Sequence, residues 1–157
     1  MIDPASTAPP GSVLVADLHG AAHGHSGEIL AVAAQQRGIR GIRGLLIDGG
    51  VRDVAELAAL GFPVSARYVT VVGTGKEHPG RFGVPVRRDG AVIRPGDLVV
   101  GDADSVLAVP QTAVAPILDR ADARVADERR TLAAIRAGMT TLEYYQLSST
   151  RELTSQV

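Results

Sequence analysis

The sequence predicts a layered α/β domain with a strongly bent or closed central sheet. Three observations carry that expectation. The apolar run Leu45-Leu46-Ile47 ends abruptly in Asp48-Gly49-Gly50-Val51-Arg52-Asp53, the pattern of a buried strand that delivers polar residues at its C-terminal end. Apolar residues recur at helical spacing near the front and the back of the chain, over 26–36 and 112–137. Between them lie short apolar runs separated by Gly, Pro and Asp turns. That is not the regular strand-helix alternation of a Rossmann sheet.

Composition bounds the rest. The chain has 157 residues, 45% of them hydrophobic, which suits one domain over 1–157 with a real core. The net charge is −1 with acids and bases interspersed, so nucleic acid and membrane surfaces are not expected partners. Cysteine is absent, which excludes disulfides and thiolate chemistry. Met1-Ile2-Asp3-Pro4 lacks the basic and apolar segments of a signal peptide, and a cytoplasmic protein is expected. Aromatic residues make up 3%, so the core must be built from Val, Leu, Ile and Ala.

Taken in order, residues 4–11 read as a Pro/Ser/Gly loop and 12–16 as a short strand ended by Asp17. His19 to Gly27 reads as a glycine- and histidine-rich loop. A helix is predicted from Ser26 to Gln36, with Ile29, Leu30, Ala33 and Ala34 on one face and Gly38 as its C′ residue. A tandem Gly-Ile-Arg repeat, 38–43, leads into the central strand. Gly49 and Gly50 allow either a sharp turn or a close approach to a ligand. Asp53 and Glu56 form an Asp-x-x-Glu capping box opening a helix to about Leu60. Short strands are expected at 63–67, 69–72, 84–86, 91–93, 98–100 and 106–109, with Asp89-Gly90 as a hairpin turn and 73–80 as a polar loop. A long helix over 112–137 has Val114, Ile117, Leu118, Ala121 and Val125 at helical spacing, and Gly138 stops it. A further turn is expected at 141–145.

Several groups could carry chemistry. Asp48, Arg52 and Asp53 fall where a strand ends and a helix begins, the edge at which α/β folds place ligands. An ordinary corner with a capping Asp and a solvated Arg gives the same local pattern. Gly27-Glu28-Ile29-Leu30 opens a helix whose first N–H groups can take a carboxylate or phosphate, as any helix start can. His19, His23 and His25 have the spacing of a transition-metal cluster, although histidines on such a loop are commonly solvated. Lys76, the sole lysine, is the one candidate for a Schiff base, but its polar, glycine-flanked setting argues for exposure and an ordinary charge. Arg52 can grip a carboxylate with two parallel bonds, and Asp53 can hold a hard divalent cation. A 2-keto acid needs both a clamp for its carboxylate and a Lewis acid at its keto oxygen.

These residues carry a resemblance. Asp48-Gly49-Gly50-Val51-Arg52-Asp53 resembles the signature of the RraA-like family, which includes the class II 4-hydroxy-4-methyl-2-oxoglutarate aldolases and the regulators of ribonuclease activity A. Gly27-Glu28-Ile29-Leu30, Gly61-Phe62-Pro63-Val64, Gly73-Thr74-Gly75-Lys76, Val84-Pro85-Val86, Arg94 to Val100 and Asp102-Ala103-Asp104 agree in order, so the match runs from about Pro10 to Pro110.

The resemblance implies the swivelling β/β/α fold and homotrimers or hexamers with sites at subunit interfaces. It implies substrate binding at Gly27, Glu28, Ile29 and Leu30, a catalytic and substrate-binding Arg52, and a catalytic Asp53 that ligates Mg2+, Mn2+ or another divalent cation. An acid from the neighbouring subunit is also implied, with Glu128 as the candidate. The activity implied is cleavage of 4-hydroxy-4-methyl-2-oxoglutarate or a related 2-keto acid to pyruvate, with oxaloacetate decarboxylation as a side activity. The rival classes are a non-catalytic protein-binding regulator of the ribonuclease-regulating type and an inactive fragment. The polar loop 73–80 favours the aldolase branch. Members usually have a further N-terminal segment before a turn matched here by Pro10-Gly11, and this chain is expected to lack it. The Gly-Ile-Arg repeat reads as a three-residue duplication between the substrate loop and Arg52.

Overall fold

A computed structural model of the chain describes residues 8–36, 41–75, 77, 80–88 and 90–147. Gly38 as a helix cap, the first Gly-Ile-Arg unit, Lys76 and Asp89 of the hairpin turn lie outside the described residues, as do the first residues of the 4–11 loop. The chain divides into two compact units, Met1–Gln111 and Thr112–Val157.

The first unit begins with an alternating βαβαβ run. Strand β1 (Val13–Ser26), helix α1 (Glu28–Gln35), β2 (Gly44–Val51), α2 (Val54–Ala59) and β3 (Val64–Val69) build a parallel sheet in the order β1-β2-β3. Two antiparallel hairpins follow: β4 (Val86–Arg88) with β5 (Ala91–Ile93), and β6 (Leu98–Gly101) with β7 (Val106–Val109). The α/β class is as the sequence predicts. Among the described residues the strands form three separate sheets, and β1 is irregular along its pairing with β2.

The segment expected to be a loop from His19 to Gly27 is a continuation of β1. Its register against β2 runs Asp17↔Asp48, Ala21↔Gly49, Gly24↔Gly50 and Ser26↔Val51, so ten residues of β1 lie along four of β2. Each shift puts extra residues on β1 opposite β2. His19 and Gly20, at φ 53° and 71°, supply the first left-handed bend. Gly49 and Gly50 are therefore not a turn. They stay in the strand because the bulged β1 presses on them: a Cβ at Gly50 would lie 2.5 Å from the His23 carbonyl oxygen.

Helices α1 and α2 cover one face of the sheet. Their core is Ala31, Ala34, Ile42, Leu57 and Phe62, with Leu14, Leu45 and Val64 from the three strands packed against it. The expected apolar face of α1 is corrected here. Ala31 and Ala34 point inward, whereas Ile29 and Leu30 are 77% and 55% exposed. Small residues face the sheet, and the bulky ones are left to solvent. Strand β3 ends at Val69, so the expected strand 69–72 does not form, and the strand expected at 84–86 is placed at Val86–Arg88.

On the other face of the sheet, Leu46 and Ser65 line an open pocket of about 380 Å³ together with Arg88, Ala91, Ile93, Val106 and Ala108. A 3₁₀ turn, Gln111–Ala113, precedes α3 (Val114–Arg136) and α4 (Thr141–Tyr145), the helices of the second unit. Gly138, at φ 101°, follows α3 as expected. Thr140 and Glu143 close a capping box at the start of α4, and its acceptor bonds hold the Glu143 carboxyl below the usual glutamate range. No helix among the described residues is long and apolar enough to cross a membrane.

Candidate active site

The C-terminal ends of β1 and β2 bring Gly27, Glu28, Arg52 and Asp53 to one corner. The Arg52 N–H donates to the Ser26 carbonyl at 2.9 Å, which continues the β1–β2 pairing to the edge of the sheet. Both chains then turn into helices side by side.

Asp53 takes an unexpected part in this arrangement. The sequence predicts that its carboxylate caps its own helix together with Glu56. Instead Asp53 has φ 58° and ψ 44°, and its side chain makes no bond to α2. In this left-handed conformation the carboxylate turns away from α2 and reaches α1, where Oδ2 accepts the Glu28 backbone N–H at 3.1 Å. Asp53 thus caps the neighbouring helix, 25 residues distant in sequence. The same oxygen lies 3.6 Å from Arg52 Nε, with the two side chains 46% and 38% exposed. Gly27 is required by space alone, because its backbone is extended at φ −160°. A Cβ there would collide with Asp53 Oδ2 and lie 2.9 Å from Arg52 Cγ.

Of the N–H groups at the start of α1, that of Glu28 is held by Asp53 and that of Ala31 by the Gly27 carbonyl at 3.1 Å. The N–H groups of Ile29 and Leu30 have no carbonyl one turn earlier in the helix and point out of its N-terminus, where they suit an anion.

Asp48 does not join this corner. It lies in mid-strand, 8% exposed, and accepts from Arg67 Nε at 2.5 Å on the face opposite the helices. The histidines do not assemble either. His23 and His25 stand edge to face with ring centroids 6.0 Å apart, and His19 lies 3.2 Å from Asp17. No three His, Asp or Glu side chains among the described residues gather as a cation cage. Glu128 lies on α3 in the second unit, where it accepts from Arg124 Nε at 2.7 Å one turn away.

A half-exposed single carboxylate limits which metal the corner suits. It does not suit zinc, which takes three or four protein ligands. It does suit magnesium or manganese, hard cations that keep several waters and bind through one or two carboxylates plus substrate oxygens. Asp53 Oδ2 is engaged with Glu28 and Arg52, leaving Oδ1 as the second acceptor.

The chain is similar to several known proteins. The RraA-like model (Aldolase/RraA) matches residues 2–108. A protein of Halalkalibacterium halodurans, named "Putative 4-hydroxy-4-methyl-2-oxoglutarate aldolase", is 34% identical over 139 residues, 88% of this chain and 65% of its own length. An uncharacterized protein of Pseudomonas syringae pv. tomato superposes with a TM-score of 0.76 at 33% identity, over 84% of this chain and 66% of its own. The RNA-processing inhibitor RraA of Thermus thermophilus superposes with a TM-score of 0.61 at 29% identity, over 69% and 63%. The chain therefore spans about two thirds of the length of these relatives.

Proposed function

The chain belongs to the RraA-like family, and from that footing we propose that it is a divalent-cation-dependent lyase that cleaves 4-hydroxy-4-methyl-2-oxoglutarate, or a related 2-keto acid, to pyruvate. One observation carries the proposal most: a single corner holds a carboxylate, a guanidinium and the start of a helix, joined by the bond from the Glu28 N–H to Asp53. On the same footing the working unit is a homotrimer or hexamer acting in the cytoplasm on a small keto acid.

The residues divide the work. Arg52 and the N–H groups of Ile29 and Leu30 bind and orient the substrate carboxylate, which fixes the keto group beside Asp53. Cleavage breaks the bond between C3 and C4, sends the C4 hydroxyl proton to a base, and moves the electron pair toward the keto oxygen. Asp53 would hold the cation, which when bound supplies positive charge where that oxygen becomes negative. Oxaloacetate decarboxylation moves electrons into the same position and is the expected side reaction.

The test is pyruvate release from the keto acid. Activity should vanish in EDTA and return with magnesium or manganese. Borohydride with pyruvate should leave no adduct at Lys76. Full activity in EDTA, or a trapped adduct, overturns the reading.

A second reading is a non-catalytic, protein-binding regulator. It is supported by the likeness to an RNA-processing inhibitor and by apolar side chains left outside, such as Ile29 at 77% and Val71 at 91% exposure. No pyruvate release with any divalent cation, from a folded chain, would favour it.

A further inference from the structure

Helix α3 carries an apolar seam with strict 4-3 spacing: Val114, Leu118, Ala121, Val125, Leu132 and Ile135, interrupted only by Glu128. This is a three-heptad repeat, the spacing that lets one helix pack along another. None of its residues is buried, and Leu118, Val125 and Leu132 are 53%, 43% and 50% exposed in mid-helix. The seam is therefore built and left open. The family model ends at residue 108, ahead of this helix.

We propose that this seam pairs with α3 of a second copy of the chain as an antiparallel two-helix coiled coil. The charges choose the orientation. Asp122 and Arg129 flank the seam on one side, and Arg124 on the other. In a parallel, in-register pair, Arg124 meets Arg129 of the partner subunit twice, and the two Glu128 carboxylates face each other in one layer. Like charges so placed oppose pairing. An antiparallel pair removes both conflicts. Leu118 then packs on Ile135 of the partner subunit, Ala121 on Leu132, and Val125 on Glu128, while Asp122 reaches Arg129. Shifting this register by one heptad either way brings Asp122 against Asp122, or Arg129 against Arg129. One antiparallel register therefore satisfies the seam and the charges together.

Glu128 is the weak layer. Within its own helix it is bound to Arg124 at 2.7 Å, which lets it lie at the seam edge with its charge matched. A polar residue at such a position fixes register while lowering stability. The pairing gives Glu128 a role unrelated to the chemistry at Asp53, and it stands whether or not the keto-acid reading does.

The natural absence of cysteine makes the test clean. The full chain with Leu118→Cys and Ile135→Cys together is oxidised, digested with trypsin and mapped by mass spectrometry. Seventeen residues apart on one helix, the two thiols cannot meet within a chain. The proposal expects cross-links between 118 and 135 of different copies. Links of 118 to 118 and 135 to 135 mean a parallel pair and overturn it, as does an absence of links.

A second measurement guards against a folding defect. By sedimentation, Leu132→Asp should weaken self-association through this contact at least tenfold with helical circular dichroism retained, and Glu128→Leu should strengthen it. Unchanged association in both folded variants overturns the proposal.

Discussion

Replacing Gly27 with alanine adds one methyl group at the point where two helices and two charged side chains converge. The backbone there is extended, so alanine carries no conformational penalty and the effect is purely one of space. The methyl would overlap Asp53 Oδ2 and come within 2.9 Å of Arg52 Cγ. The cheapest relief is for the Asp53 carboxylate to swing away, which releases the Glu28 N–H. Loss of such a cap costs about 1 kcal/mol, and residual crowding of a packed site about 1 kcal/mol more. Urea unfolding should therefore show a loss of about 2 kcal/mol, and pyruvate release should fall at least tenfold. Adding Gly27→Ala to Asp53→Ala should cost less than the sum of the two, because the clash with Asp53 and the cap are already gone. Additive losses, or a Gly27→Ala chain as stable and active as the parent, would refute the crowded corner as the reason for this glycine.

Other perturbations separate the parts of the site. Asp53→Asn keeps an oxygen for the Glu28 N–H, so it should stay within about 1 kcal/mol of the parent in urea while losing cation-dependent pyruvate release. Asp53→Ala should lose both, and activity retained at saturating magnesium in either variant would remove Asp53 from the chemistry. Arg52→Lys keeps the charge but not the two-pronged grip, so KM should rise at least tenfold, and a normal KM would make Arg52 a surface residue. Arg67→Ala strands the buried Asp48 carboxylate; since Arg67 is partly exposed, about 2 kcal/mol is expected in urea, and no change would show that the pair is idle. Glu143 has a lowered carboxyl pKa because it accepts from the Thr140 N–H and hydroxyl, so its contribution to α4 is present above the usual glutamate pKa. That contribution should fade as pH falls through the lower folded value, seen as a loss of protection of the 143–145 amides relative to their intrinsic exchange rate at each pH, whereas Glu143→Gln should flatten the dependence.

The sequence by itself determined most of the elements and the place of the corner. β2 is legible because a continuous apolar run ending in Asp-Gly-Gly can be buried on both faces. Arg52 and Asp53 then follow at the end of a parallel strand whatever the rest of the chain does. Gly138 and the Thr140–Glu143 box are equally local, since their partners lie within one turn.

Three decisions belonged to the tertiary structure. Residues 17–26 carry a loop's composition, and only pairing with β2 holds that glycine-rich, bulged backbone extended. The inward face of α1 was set by available space: Ala31 and Ala34 fit against Leu57 and Phe62, while the bulkier Ile29 and Leu30 turn out. The capping role of Asp53 depended on a neighbour 25 residues away. A local Asp-x-x-Glu pattern points to α2, but a left-handed backbone and the absence of a side chain at Gly27 turn the carboxylate to α1 instead. Spacing along one helix cannot encode that choice, because it is made by the distance between two of them.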